Sequence, residues 1–241
     1  MKAVLEKKIG DVVAEDFRTA AVFSKNKMDF CCGGHKTVQE VCEDQQLDSE
    51  KVAEELQKVM ATQSDAQIDY RSWPLDLLAD YIEKTHHRYV RENAPQLIQY
   101  LNKLCLVHGE NHPELFEITR LFIESAEALE QHMEKEEQIL FPFVRKMVET
   151  TYQGNQLGAP PFGTVENPVR MMMHEHDAEG ERFRKIAELS GKYEPPADAC
   201  GTYRVTYAML EEFEQDLHKH IHLENNILFP GAVKLEKKYG A

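Results

Sequence analysis

Glycine is scarce in this chain, 12 of 241 residues, and basic residues are outnumbered, 28 Lys and Arg against 42 Asp and Glu. The formal net charge of −14 repels a phosphate backbone, which argues against a nucleic-acid partner. No run approaches the ~20 consecutive apolar residues that a spanning helix needs, so no membrane segment is expected. The opening Met-Lys-Ala-Val-Leu-Glu-Lys-Lys lacks the apolar core of a signal peptide, and a cytoplasmic location is the expectation. Cysteine is sparse and unpaired in number: Cys31, Cys32, Cys42, Cys105 and Cys200 have no framework spacing. Free thiols in a reducing compartment are expected, with Cys42, Cys105 and Cys200 packing into helices or core.

What is present is helical pattern. Apolar residues make up 42% and charged residues 29% of the chain, ordinary for a soluble globular protein. Long stretches of 3.6-residue period dominate, so the fold class is all-α. Residues 1–70 read as a small helical domain. Asp11 to Phe23 has helical spacing, Asp29-Phe30-Cys31-Cys32-Gly33-Gly34 is a glycine-dense turn, Thr37 caps a helix with Glu40 in the capping-box place, and Ser49 caps another to Ala61. Residues 62–72 are polar and read as a linker. From Pro74, a helix opener, four major helices follow over residues 74–241, with a loop at 154–163, and a bundle with its site in the core is the expected architecture. Pro95 is expected to break or bend the first of them. Pro142 and Pro230 are expected to kink or end theirs.

One stretch occurs twice. His132 and Glu136 precede Ile139-Leu140-Phe141-Pro142, and His220 and Glu224 precede Ile227-Leu228-Phe229-Pro230, with an offset of 88 at every landmark. A His and a Glu four apart share a helix face. A single such pair is most often a surface ion pair, but these fall in line with Phe122, Leu129, Met133 and Leu140, and with Phe213, Leu217, Ile221 and Leu228. Both pairs therefore lie in apolar stripes. Burying a carboxylate without a compensating charge is costly, and two such pairs in register call for a shared metal centre. His86 and His176 lie on the stripes of the other two helices and join the candidates. His87, His174, His218 and His222 fall on polar faces and read as solvated. His108 has no repeat mate, and periodicity leaves it open. On one straight helix it stands ~33 Å from His86, so the two share a site only if the chain turns back near Asn93-Ala94-Pro95.

Five imidazoles and two carboxylates exceed the four ligands of structural zinc, and calcium and magnesium prefer all-oxygen sets. Two octahedral ions offer about twelve positions, of which five nitrogens and two bridging carboxylates fill about nine. A shared oxide or hydroxide and one open position account for the rest. That describes a two-iron site able to take a small diatomic molecule, although the ligand type admits manganese as well.

These residues, His86, His108, His132-x-x-x-Glu136, His176-Asp177 and His220-x-x-x-Glu224-Asn-Asn-x-Leu-Phe-Pro, resemble the hemerythrin-like domain of the RIC (repair of iron centres) proteins. The Asp29-Phe30-Cys31-Cys32-Gly33-Gly34 turn is similar to that of the ScdA-type domain preceding it, so the resemblance covers essentially the whole chain. It implies ligation of two irons by His86, His108, His132, His176, His220, Glu136 and Glu224, with both glutamates as bridges. It also implies a paired-cysteine role for Cys31 and Cys32 as a thiol or iron relay. The implied function is repair of iron–sulfur clusters damaged by nitric oxide or peroxide, by iron donation, with damaged iron–sulfur proteins as partners and nitric oxide or O2 as small ligands. A di-iron nitric oxide reductase and a hemerythrin-like O2 or NO sensor are the alternatives, so whether the chain is an enzyme stays open. Clients, electron donor and oligomeric state are not legible; a homodimer is compatible with the sequence.

Overall fold

A computed structural model describes residues 2–62, 68–154, 158 and 160–239. The linker read at 62–72 and the loop read at 154–163 fall partly outside the described residues. Among the described residues there is no β-strand, and the chain is helical as its periodicity predicts. No helix among them is long and apolar enough to cross a membrane.

The chain divides into two compact units. The first joins Met1–Leu78 with Met147–Ala159 and Ile221–Ala241. Its N-terminal part holds α1 (Lys2–Leu5), α2 (Ile9–Glu15), α3 (Ala20–Lys25), α4 (Val38–Asp44) and α5 (Ser49–Ala61). The helix read at Asp11 to Phe23 is in fact interrupted at Asp16, whose side chain accepts from the Arg18 backbone and opens a short 3-10 turn. The capping box at Thr37 and Glu40 is present with both reciprocal bonds. Asp48, one residue ahead of the expected Ser49, caps α5 by accepting from the backbone of Glu50 and Lys51. The sequence division at 1–70 and 74–241 follows the order of the chain, whereas the structural units also recruit segments distant in sequence.

The second unit comprises Ala79–Lys146 and Pro160–His220. Here α6 (Leu75–Ile82) runs through a π turn at Glu83–His87 into α7 (Arg88–His108). Next come α8 (Glu114–Lys135), a π turn at Glu136–Leu140, α9 (Phe141–Tyr152), α10 (Glu166–Leu189) and α11 (Gly201–Leu223). The third π turn, Glu224–Leu228, and α12 (Phe229–Tyr239) belong to the first unit. Helix α8 packs against both α7 and α10. Its buried residues, Leu115, Ile118, Phe122, Leu129, His132 and Met133 among them, follow the three-and-four spacing of a core-facing stripe. An aromatic layer of buried Phe122, Phe183 and Phe213, with ring centroids 5.1 to 6.3 Å apart, fills the interior between α8, α10 and α11.

The prolines do not end their helices. Pro95 lies inside α7, which continues to His108. Pro142 and Pro230 each stand two residues past a π turn. A proline has no N–H, and its ring crowds the carbonyl four residues back. Widening the preceding turn to an i→i+5 pattern relieves that crowding, so the helix swells instead of stopping. Because the two turns occupy matching places, the 88-residue repeat includes the widened turn itself.

Candidate metal centre

Six buried side chains converge. One set of ligand atoms comes from His87, Glu136, His220 and Glu224, a second from His132, Glu136, His176 and Glu224, and within each set all atoms lie within 4.8 Å of one another. Both glutamates belong to both sets. Glu136 follows His132 by one turn across the end of α8, and Glu224 follows His220 by one turn across the end of α11, so each glutamate opens a π turn. The Nε2 atoms of His87 and His220 are 3.2 Å apart, and those of His132 and His176 are 3.0 Å apart. A Glu136 oxygen stands 3.4 Å from Nε2 of both His87 and His132.

The imidazoles are oriented from behind. His87 Nδ1 donates to Glu137 at 2.8 Å, and His132 Nδ1 donates to Glu175 at 2.9 Å. The His87 N–H and the Arg91 guanidinium hold the Glu137 carboxyl down to about 2, against the opposing effect of burial. The His132 N–H and the Lys135 ammonium do the same for Glu175, also to about 2. An ionised carboxylate only accepts, so each ring carries its proton on Nδ1 and turns an Nε2 lone pair inward. Carboxylates bonded to the far nitrogen of a ligating histidine are what metal sites use to fix tautomer and ring angle.

The donor set suits a pair of metal ions. Glu136 and Glu224 are both 0% exposed, and two carboxylates so close in a dry interior repel each other unless cations lie between them. Four imidazoles and two carboxylates are the donors favoured by first-row transition ions. The His/Glu clusters thus fit a di-iron site.

Two of the residues expected in the site lie elsewhere. His86 is buried, but its Nδ1 donates to Asp216 at 2.8 Å and its ring stacks on His220 at 5.7 Å, outside both donor sets. Its neighbour His87, expected on a polar face, takes the inward place and is 0% exposed. The π turn at Glu83–His87 is the cause. One extra residue in that turn advances the register, so Leu78 and Ile82 are continued by His87, Val90, Ala94 and Leu97, all buried, and not by His86. His108 ends α7 with its Nε2 3.2 Å from the Cys200 sulfur. Since α7 does not turn back at Pro95, the ~33 Å between His86 and His108 stands, and His108 is not brought to the centre.

Two further residues depart from expectation. Cys200, expected to pack inside, is exposed. The Tyr203 backbone N–H, then the His108 imidazole, lower its thiol to about 7. His222, expected in solvent, is 1% exposed and lies 5.9 Å from the rings of both Phe17 and Phe30. Burial pushes it down to about 4. His174 is exposed, as its polar face predicts.

Cys31 and Cys32 have sulfurs 3.9 Å apart. With Asp29 they form a third cluster of potential donor atoms. Asp29 accepts from the backbone N–H groups of both cysteines, at 3.1 and 2.9 Å, and from the Cys31 thiol at 3.3 Å. The Cys32 thiol, then burial and the Asp29 carboxylate, push the Cys31 thiol well up, so Cys31 stays protonated.

Comparison with known proteins points to a cation-binding domain over the same part of the chain. The profile of the Hemerythrin HHE cation binding domain matches residues 78–232, and an N-terminal ScdA_N profile, described as a domain of unknown function, matches residues 5–60. The iron-sulfur cluster repair protein YtfE of Pectobacterium atrosepticum is 35% identical over 239 residues, covering 97% of this chain and 100% of its own length. The protein of that name from Musicola paradisiaca is 35% identical over 235 residues, covering 96% of this chain and 98% of its own. The one from Escherichia coli O17:K52:H18 is 34% identical over 231 residues, with 96% and 98% covered.

Proposed function

We propose, from the premise that this chain belongs to the YtfE-type iron-sulfur cluster repair proteins of the hemerythrin-like family, that it carries two iron ions and gives them up to damaged iron–sulfur proteins. His87 and His220 would hold one ion and His132 and His176 the other, with Glu136 and Glu224 shared between the two donor sets. The observation that carries this reading is the pair of four-donor sets that share both glutamates.

Iron is the cargo here as much as the cofactor, and the residues suit a cargo site. Imidazole and carboxylate hold iron less tenaciously than thiolates do. The protein's own work is to keep the site dry and the imidazoles aimed. Phe141 stacks on His87 at 5.5 Å, while Glu137 and Glu175 fix the rings of His87 and His132. Because Glu136 and Glu224 belong to both donor sets, displacing either carboxylate would loosen both ions. Cys31 and Cys32 are the thiols suited to a relay.

Metal analysis of the purified protein tests the first half. About two irons per chain are expected, with a sharp loss in Glu136→Leu and in Glu224→Leu. The second half is tested by mixing the loaded protein with an apo-ferredoxin and following cluster absorbance. Transfer faster than from an equal amount of free iron is expected; no advantage over free iron rejects donation.

A further inference from the structure

We infer that Asn226, with Asn225 beside it, is a positioning residue that ties the state of the Cys31–Cys32 turn to the hold of Glu224 on its metal ions. The inference rests on the reading that Glu224 is a bridge.

The Asn226 side chain occupies a socket with glycine walls. A methyl group at Gly10 would stand 2.2 Å from Asn226 Oδ1, and one at Gly34 would stand 2.5 Å from it. Glycine at these two places is therefore what admits the asparagine. Within the socket, Asn226 Nδ2 donates to the carbonyls of Phe30 and Cys31 at 3.3 and 3.2 Å, and Asn225 Nδ2 donates to the Cys31 carbonyl at 3.4 Å. Asn226 Nδ2 also lies 3.1 Å from His222 Nδ1, and the His222 ring is wedged against Phe17 and Phe30. The carbonyl of the cysteine turn thus receives two amides from the same π turn that begins with Glu224.

The other side of the cysteine turn is equally fixed, since Asp29 holds both cysteine N–H groups. Cys31 is 4% exposed, so a group attached to its sulfur finds no room without displacing the turn. That displacement pulls the Cys31 carbonyl away from Asn225 and Asn226, and Glu224 moves with them. Coupling of this kind is reciprocal. A filled centre that pins Glu224 keeps the thiols shut in, and an engaged thiol weakens the grip on iron. Iron is then released where a thiol-reactive partner is met and retained elsewhere.

The test uses the full chain under anaerobic conditions, metal-free and loaded with two equivalents of Fe(II), and in parallel with Zn(II), which is redox-silent. The readout is the rate of iodoacetamide alkylation at each cysteine, resolved by peptide mass spectrometry. Loading is expected to slow Cys31 and Cys32 by about tenfold, within the usual range of coupling between sites, and to leave Cys42 and Cys200 unchanged. In Asn226→Ala, and independently in Gly10→Ala, which evicts Asn226 without altering it, the slowing should fall below about twofold while metal still binds. An unchanged Cys31 rate on loading the wild type overturns the inference, and that comparison needs no variant. Equal slowing at Cys42, or full slowing retained in either variant, also overturns it. A wild-type chain that binds no metal fails the site assignment itself, and metal analysis before alkylation separates that failure from a failure of the coupling.

Discussion

His86 and His87 are neighbours, both buried, both with Nδ1 donating to a carboxylate, yet only His87 turns its Nε2 into a donor set. His87→Ala is expected to lower retained iron well below two per chain after desalting, as losing a first-row metal ligand does. His86→Ala is expected to keep both irons and to lose about 1–3 kcal/mol of stability, from an Asp216 carboxylate left without its imidazole. Iron quantitation of the two variants side by side decides the assignment, and the reverse outcome would restore the register of an unbroken helix. His108→Ala is expected to keep full iron content. Its effect appears at Cys200, whose thiol near 7 is held there by the Tyr203 N–H and by His108. Without the imidazole less thiolate is present at neutral pH, and alkylation of Cys200 should slow by about two- to fivefold, the difference vanishing above about pH 9.5. Loss of iron from His108→Ala would return it to the metal centre.

At the scale of the helix, what could be read from sequence was the face, and what could not was a change of pitch along it. Phe122, Leu129, His132, Met133 and Leu140 point inward as their spacing predicts, and so do Phe213, Leu217, His220, Ile221 and Leu228. Each of those pairs sits on or ahead of its widened turn, so a constant 3.6 residues per turn reaches them correctly. The first helix has its π turn ahead of the ligand, and the same count lands one residue short. A clue was present in the repeat: stepping back 88 from His176 gives residue 88, nearer His87 than His86. Pro142 and Pro230 were legible as disturbances, but a missing N–H can be met by widening as well as by breaking, and sequence does not choose between them. The extra residue at Glu83–His87 makes its own prediction. Lys84 bonds only Asp80 among the described contacts and is exposed. Deleting it should return the turn to ordinary α pitch, with His87 still following Ile82 inward. The expected result is unchanged helical circular dichroism, two irons retained and a melting shift of about 5 °C or less, the scale of a ~1–2 kcal/mol change in a chain this long. Collapse of iron binding on deleting Lys84 would mean that the wide turn itself, and not only the register it sets, shapes the centre.

For the molecule as a whole, the composition foretold helices and acidity, but not where acidity becomes a cost to folding. Most carboxylates face water or a cation. Glu214 of α11 is half-buried with no cation against it among the described residues, and burial pushes it up to about 7. The turn before α11 is tightly wound, with Gly191, Lys192 and Tyr193 all at positive φ near 60° and the Tyr193 backbone N–H donating to the Ser190 hydroxyl at 3.1 Å. A carboxyl whose folded value lies above its unfolded value of 4.5 binds its proton more tightly in the folded chain. The folded state is therefore favoured by acid here: the penalty is absent below about pH 4.5, grows as pH rises, and is complete above about 7. A tenfold difference in proton affinity between the folded and unfolded chains is worth about 1.4 kcal/mol when fully expressed. Glu214 keeps an edge to solvent, so a loss on the order of 2 kcal/mol between pH 5 and pH 8 is the expectation. Denaturant titrations of metal-free protein at those two pH values, wild type against Glu214→Gln, isolate it. The variant should be the more stable of the two at pH 8 and lose its advantage toward pH 5, because a neutral amide carries no charge to desolvate. An equal pH dependence in both proteins would place the titrating group elsewhere in the chain.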